Sequence, residues 1–129
     1  MVITIFGSRN LFGPAVKEII DNEVKRLNPD YVATAGDADG VCKEARNYCR
    51  DKAIPLKLHY LNKKYARGMY EQRSIAVLEE TDFVVFIHDG KSKGTKNEIE
   101  LAKKMGIKYH YYLLKRDEIV IIDDFEIDY

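Results

Sequence analysis

Residues 83–100 read Phe83-Val84-Val85-Phe86-Ile87-His88-Asp89-Gly90-Lys91-Ser92-Lys93-Gly94-Thr95-Lys96-Asn97-Glu98-Ile99-Glu100, and this stretch decides the fold. Its first five side chains are all apolar, which is typical of a strand buried on both faces. Beyond the glycine-containing loop, apolar residues recur at helical spacing at Ile99, Leu101, Ala102 and Met105. A strand that leads through such a loop into a helix places backbone N–H groups and a positive helix end at the carboxyl edge of a sheet. Nucleotides and phosphates commonly bind there, so the stretch predicts a ligand crevice at that edge.

Strand and helix patterns alternate along the rest of the chain. Strands are predicted at 2–6, 31–34, 56–60, 83–87 and 108–114, and helices at 14–27, 41–52, 69–80 and 96–105. Asp39 is the predicted N-cap of the second helix. Because parallel strands need crossover connections and these are right-handed, the pattern predicts an α/β, Rossmann-like, doubly wound parallel sheet in the order 3-2-1-4-5 with helices on both faces.

The C-terminal end departs from this alternation. The apolar run at 119–122 follows a short polar link and fits an extra edge strand, antiparallel to its neighbour, before an acidic tail. We therefore divide the chain into a Rossmann-like domain at 1–114 and a C-terminal strand and acidic tail at 115–129.

Composition narrows the range of partners. The 21 basic and 21 acidic side chains cancel, so no overall field favours nucleic acid or an anionic membrane. No apolar run approaches the ~20 residues of a membrane span. Cys42 and Cys49 lie seven residues apart in one predicted helix, about 10.5 Å of rise, which is beyond disulfide reach. Two free thiols favour a cytoplasmic protein.

Four short motifs occur in order between residues 2 and 113. The first strand ends in Gly7-Ser8-Arg9, and the second ends in Gly36-Asp37-Ala38-Asp39-Gly40-Val41-Cys42, with Ala45 in register. Arg73 lies nine residues before Asp82, which opens the fourth strand. The last motif is a glycine loop that contains Gly90, Gly94, Thr95 and Glu98. Together they resemble the SLOG superfamily, which groups the DNA-processing protein DprA with the Lonely guy (LOG) hydrolases, and most closely its small stand-alone members related to YpsA.

The resemblance implies a function as well as a fold. It implies that the crevice binds a small nucleotide-type ligand, such as a ribose-phosphate or an ADP-ribose-type molecule. In the LOG hydrolases the matching Glu and Arg act on an N-glycosidic bond. By that implication Glu98 protonates the leaving base or holds the ribose, and Arg73 orients or neutralises a charged group. Related proteins often pair, so a homodimer is expected.

Three departures from the family pattern leave other functions open. Cys42 replaces an acidic residue of the second turn. Asp37 replaces a glycine, and a carboxylate there opposes an anion but can accept hydrogen bonds from ribose hydroxyls. The loop around Asp89 differs from that of the hydrolases and is longer. The protein is therefore either a phosphoribohydrolase-like nucleotide N-glycosidase or a non-catalytic nucleotide sensor or sequestering protein; binding of single-stranded DNA is less favoured. Thr95 and Glu98 also fit a capping box, and Arg73 also fits a solvated helix position.

The predicted catalytic residues are Arg73 and Glu98. The predicted ligand-binding residues are Gly7, Ser8, Arg9, Gly36, Asp37, Gly40, Asp89, Gly90, Gly94 and Thr95. No cofactor is expected, and no spacing of His, Cys and carboxylate residues resembles a metal site.

Overall fold

The computed structural model describes residues 1–37, 39–59, 69–115 and 118–124. In chain order the elements are β1 (Val2–Gly7), α1 (Pro14–Leu27), β2 (Tyr31–Ala35), α2 (Val41–Asp51), β3 (Leu56–His59), α3 (Met69–Glu79), β4 (Phe83–His88), α4 (Lys93–Met105), β5 (Lys108–Lys115) and β6 (Glu118–Asp124). Tyr60, predicted to end the third strand, and the tail at 125–129 lie outside the described residues.

The sheet confirms the predicted topology. Its order is β3-β2-β1-β4-β5-β6, and the first five strands are parallel. The apolar run near the C-terminus does form the extra strand, and β6 pairs antiparallel with β5 at the edge. The carboxyl ends of β1 and β4 therefore lie side by side in the middle of the sheet, where a doubly wound fold forms its crevice.

Helices cover both faces of the sheet, which explains the uninterrupted apolar run of β4. Phe83, Val85 and Ile87 pack in the core formed with α1 and α2, whereas Val84 and Phe86 pack in the core formed with α3 and α4. All six residues of β4 are buried. Because successive strand side chains point to opposite faces, a central strand with helices on both sides needs apolar residues at every position.

The second helix begins at Val41 as predicted, but its N-cap and the start of the fourth helix differ from the sequence prediction. The N-cap of α2 is Gly40 and not Asp39, and no side chain caps this helix. The reason is tertiary: the Val41 N–H donates to the Ser8 carbonyl at 3.2 Å, so the loop after β1 satisfies the start of α2. The fourth helix begins at Lys93, one turn before the predicted residue 96.

Both cysteines are buried and free, as predicted. Burial raises the pKa of the Cys42 thiol to about 11, which disfavours the reactive thiolate despite the place of Cys42 in the first turn of α2. None of the helices within the described ranges is long and apolar enough to cross a membrane.

A buried polar cluster joins α1 to β5. Glu23, only 3% exposed, accepts hydrogen bonds from Arg26 and from the Tyr112 hydroxyl, and its carboxylate lies 3.1 Å from His110 Nδ1. Burial opposes ionisation, but the bonds from His110, Arg26 and Tyr112 outweigh it and lower the pKa of Glu23 from 4.5 to about 2. The ionised carboxylate therefore stabilises the fold.

We expect Glu23→Gln to reduce the free energy of unfolding at pH 7 by about 2–3 kcal/mol. Because the folded pKa is lowered, this stabilisation is complete above pH 4.5 and is lost as the pH falls towards 2. Urea unfolding at a series of pH values should show the difference between variant and parent shrink over that interval. Glu18→Gln, an exposed position on the same helix, is the control and should change little. Equal stability of the Glu23 variant and the parent at pH 7 would contradict the prediction.

Candidate functional site

A crevice of about 1310 Å³ opens at the carboxyl ends of β1, β2 and β4 and continues along α4. The loop after β1, Asp37 after β2, Arg73 and Ser74 of α3 and one side of α4 form its walls. Its described lining consists of Gly7, Ser8, Arg9, Asn10, Asp37, Arg73, Ser74, Ser92, Lys93, Gly94, Thr95, Asn97, Glu98, Glu100, Leu101, Lys103 and Lys104.

The crevice brings together eight of the twelve predicted site residues. These are Gly7, Ser8, Arg9, Asp37, Arg73, Gly94, Thr95 and Glu98. The remaining four are not part of the described lining, and they are Gly36, Gly40, Asp89 and Gly90. The structure shows what these four do instead, since each of them shapes a loop beside the crevice.

Ser8 holds the loops after β1, β2 and β4 together. It is buried, its N–H donates to the Ile87 carbonyl at 3.0 Å, and its own carbonyl accepts from Val41. Its hydroxyl accepts the Asp89 N–H at 3.1 Å. Ser8 therefore fixes the floor of the crevice chiefly through bonds within the protein.

Close approach of backbones explains two of the glycines. A Cβ on Gly7 would lie 2.4 Å from the Ile87 carbonyl oxygen, because α2 and β4 both pack against this residue. Gly40 has a φ of +83°, and a Cβ there would lie 2.4 Å from the Arg9 Cα. The N–H of Gly36, in the same turn, donates to the His59 carbonyl. The N–H groups of Gly36 and Val41, on either side of this turn, thus donate to carbonyls within the protein, which disfavours a phosphate site there.

Asp89 builds the loop between β4 and α4. Its Oδ1 accepts the N–H groups of Lys91 and Ser92, both at 2.8 Å. Burial opposes ionisation, but these two donors, together with the side chains of Asn10 and Ser92, outweigh it and hold the pKa of Asp89 far below its usual range. Gly90 supplies the positive φ of this turn, +85°. Because Asp89 organises the residues before Lys93, α4 starts one turn earlier than its sequence pattern predicts.

The early start of α4 excludes the capping-box alternative. The N-cap residue is Ser92, and no side chain caps the helix. Thr95 and Glu98 both lie inside the helix, so Thr95 is not the N-cap residue and the predicted pairing of Thr95 with Glu98 at the helix start does not form. The first turn of α4 instead faces the crevice with the residues from Lys93 to Thr95. Its N–H groups have no acceptor within the helix, and they carry the positive end of the helix dipole.

Two arginines flank Asp37 in the crevice wall. Arg73 Nη1 donates to Asp37 Oδ1 at 3.1 Å, and Arg9 Nη2 lies 3.5 Å from the same oxygen. Arg73 is buried, at 9% exposure, so the alternative prediction that Arg73 is a solvated residue on the helix surface is wrong. Arg9 is mostly exposed at the rim. The Asp37 charge is thereby compensated on both sides, and it no longer excludes an anionic ligand from the crevice.

Glu98 lies on α4 opposite α3, and its carboxylate accepts a hydrogen bond from the buried Ser74 hydroxyl at 3.2 Å. Burial raises the pKa of Glu98 to about 8. Arg73 and Ser74 favour the ionised form and offset part of this rise, and the neighbouring Asp37 adds to it. A carboxyl that keeps its proton at neutral pH is suited to general acid catalysis.

Nine lining residues were not among the predicted site residues, and they are Asn10, Ser74, Ser92, Lys93, Asn97, Glu100, Leu101, Lys103 and Lys104. Ser74 directly follows Arg73, and helical spacing from Glu98 leads to Leu101 on the same side of α4. These two sequence relations are the only ones that point to the missed lining residues. Both become informative only once the packing of α3 against α4 is known. Within the described ranges no group of three or more His, Cys, Asp and Glu side chains is placed to hold a metal ion.

Comparison with protein-family models and with curated proteins finds no match to this chain. Function is therefore inferred from the crevice itself, which combines a helix N-terminus, two arginines and a carboxyl with a raised pKa in one space.

Proposed function

We propose that the crevice binds a nucleotide or a nucleotide-derived ligand and that Glu98 promotes hydrolysis of its N-glycosidic bond. The observation that carries the proposal is geometric: Glu98, which accepts a hydrogen bond from Ser74 next to the buried Arg73, lines the same cavity as the first turn of α4. The raised pKa of Glu98, about 8, supports its role as an acid. A nucleotide presents the matching groups, since it has a phosphate at one end and a base that leaves more easily when protonated.

Each wall of the crevice has a part in this proposal. The phosphate lies against the first turn of α4, with the Arg9 guanidinium nearby. Asp37, held by Arg73, accepts hydrogen bonds from ribose hydroxyls. Glu98 gives its proton to the base nitrogen as the C1′–N bond breaks and its electron pair goes to the base. Water attacks C1′ and returns a proton to the Glu98 carboxylate, so that free base and ribose-phosphate leave.

A second candidate function is nucleotide binding without turnover. It is favoured by the engagement of Asp37 with two arginines, because both ion pairs use Asp37 Oδ1 and fewer of its lone pairs remain to position an attacking water. A sensor or a sequestering protein needs a crevice that binds the nucleotide, and it needs no catalytic acid.

One experiment separates these functions. Thermal-shift measurements with AMP, other nucleoside monophosphates, ribose 5-phosphate and ADP-ribose test binding, and chromatography of each mixture tests for released base. Stabilisation with base release supports the hydrolase, and stabilisation without base release supports the sensor. If no nucleotide stabilises the protein, the proposal is wrong in both forms.

We expect Arg73→Ala to weaken AMP binding by about 10- to 100-fold, because it removes a buried cation and leaves the Asp37 carboxylate facing an anionic ligand. Titration calorimetry at fixed ionic strength measures the change. Arg50→Ala is the control, since Arg50 is an exposed arginine on α2 that does not line the crevice. Equal affinities for the two variants would show that Arg73 has no role in binding.

We also propose that the protein works in the cytoplasm as a homodimer. The buried free thiols of Cys42 and Cys49 support the reducing compartment. The homodimer has no support beyond the family resemblance, and it stays a prediction.

A further inference from the structure

The crevice is longer than a mononucleotide site needs. Its lining follows α4 from Lys93 in the first turn to Lys104 in the last. Eleven helical steps between these residues correspond to about 16 Å of rise. The volume of about 1310 Å³ also exceeds the roughly 300–1,000 Å³ of ordinary small-molecule pockets. A nucleoside monophosphate held at the first turn of α4 leaves the far half of the crevice open.

The charge of the lining differs from that of the whole protein. The full chain has 21 basic and 21 acidic side chains and no net charge. The described lining has five cations against three carboxylates, a net charge of +2 that becomes +3 when Glu98 is protonated. Lys103 and Lys104 supply the two cations of the far half, and Glu100 is the acidic side chain next to them. Local charge of this sign attracts anions in an otherwise neutral protein.

We infer that the crevice takes a nucleotide with a second phosphoryl group remote from the first, and that Lys104 at the far end of α4 recognises this group. This inference rests on the proposed function, because the first phosphate is the one assigned to the helix start. A dinucleotide with an additional ribose phosphate has the required form. Its pyrophosphate lies at the first turn of α4, and its ribose phosphate points along the helix towards Lys104.

The pair NADP⁺ and NAD⁺ provides a direct test, because the two molecules differ by one phosphoryl group. Affinities are measured for the whole protein by titration calorimetry at low ionic strength, with AMP as the mononucleotide reference. Lys104→Glu reverses one charge in the far half of the crevice. Lys96→Glu is the matched control, since Lys96 is an exposed lysine on the same helix that does not line the crevice. Both variants change the net charge of the protein by the same amount.

We expect the unchanged protein to bind NADP⁺ more tightly than NAD⁺. Lys104→Glu should weaken NADP⁺ binding by about five- to tenfold and change AMP binding less than about twofold. Lys96→Glu should change both by less than about twofold, and added salt should reduce the preference for NADP⁺.

Two results overturn the inference. One is equal binding of NADP⁺ and NAD⁺, and the other is an equal effect of the two lysine variants. If AMP binds in either case, only the inference fails and the proposed function stands. If AMP, NAD⁺ and NADP⁺ all fail to bind, both are wrong.

Discussion

Glu98→Gln is expected to slow the release of free base by about 10²- to 10⁴-fold while binding and folding stay intact. Glutamine has the shape of glutamate, and its carbonyl oxygen still accepts the Ser74 hydrogen bond, but its amide gives no proton to the leaving base. Single-turnover chromatography of released base measures the effect. Because the pKa of Glu98 is raised to about 8, base release by the parent protein should also decline as the pH rises through that value.

A stability measurement accompanies the kinetic one. A carboxyl whose folded pKa lies above its unfolded value of 4.5 makes the fold less stable as the pH rises from 4.5 to about 8. The glutamine variant lacks this loss, so at pH 8 it should be at least as stable as the parent. Glu100→Gln changes another carboxylate of α4 in the crevice, and it should leave the rate nearly unchanged. Base release by the Glu98 variant at the parental rate would exclude Glu98 as the acid.

The fold was predictable because its causes are local. Strand β4 is apolar from Phe83 to Ile87 since helices cover both of its faces, and strand and helix patterns alternate along the rest of the chain. The antiparallel β6 was also predictable, because only a short polar link separates it from β5. The start of α4 was not, since it depends on the Asp89 carboxylate accepting two loop N–H groups, and nothing in the residues themselves marks Asp89 for that task.

The site was predictable in outline and not in detail. Glycine turns after parallel strands meet at one edge in any doubly wound fold, and Arg73 and Glu98 line the same crevice as their motifs predict. The turn after β2 was harder to interpret. Sequence alone does not show that Ser8 caps α2 through its carbonyl. The Ser74 contact with Glu98 depends on the relative position of two helices, which no spacing within either helix specifies.

We expect Gly40→Ala to cost about 3–5 kcal/mol of folding free energy and to lower the melting temperature by about 10 °C or more. Gly40 has φ +83° and ψ −152°, a conformation that side chains resist, and the new Cβ would lie 2.4 Å from the Arg9 Cα. A backbone neighbour cannot rotate away as a flexible side chain can. The loop from Ser8 to Arg9 must therefore move, and nucleotide binding should weaken together with stability.

Gly94→Ala is the matched control, because it places the same methyl group on a glycine of the first turn of α4. This residue has a helical backbone, and its Cβ would meet no atom within 4 Å, so the variant should gain up to about 1 kcal/mol of stability. It should nevertheless weaken AMP binding, since the methyl group enters the space in which a phosphate approaches the helix start. Thermal melts and calorimetric titrations of both variants separate the two effects. If the Gly40 variant has the same melting temperature as the parent, the turn after β2 accommodates the added methyl group without cost. If the Gly94 variant has unchanged AMP affinity, the phosphate does not bind at the start of α4.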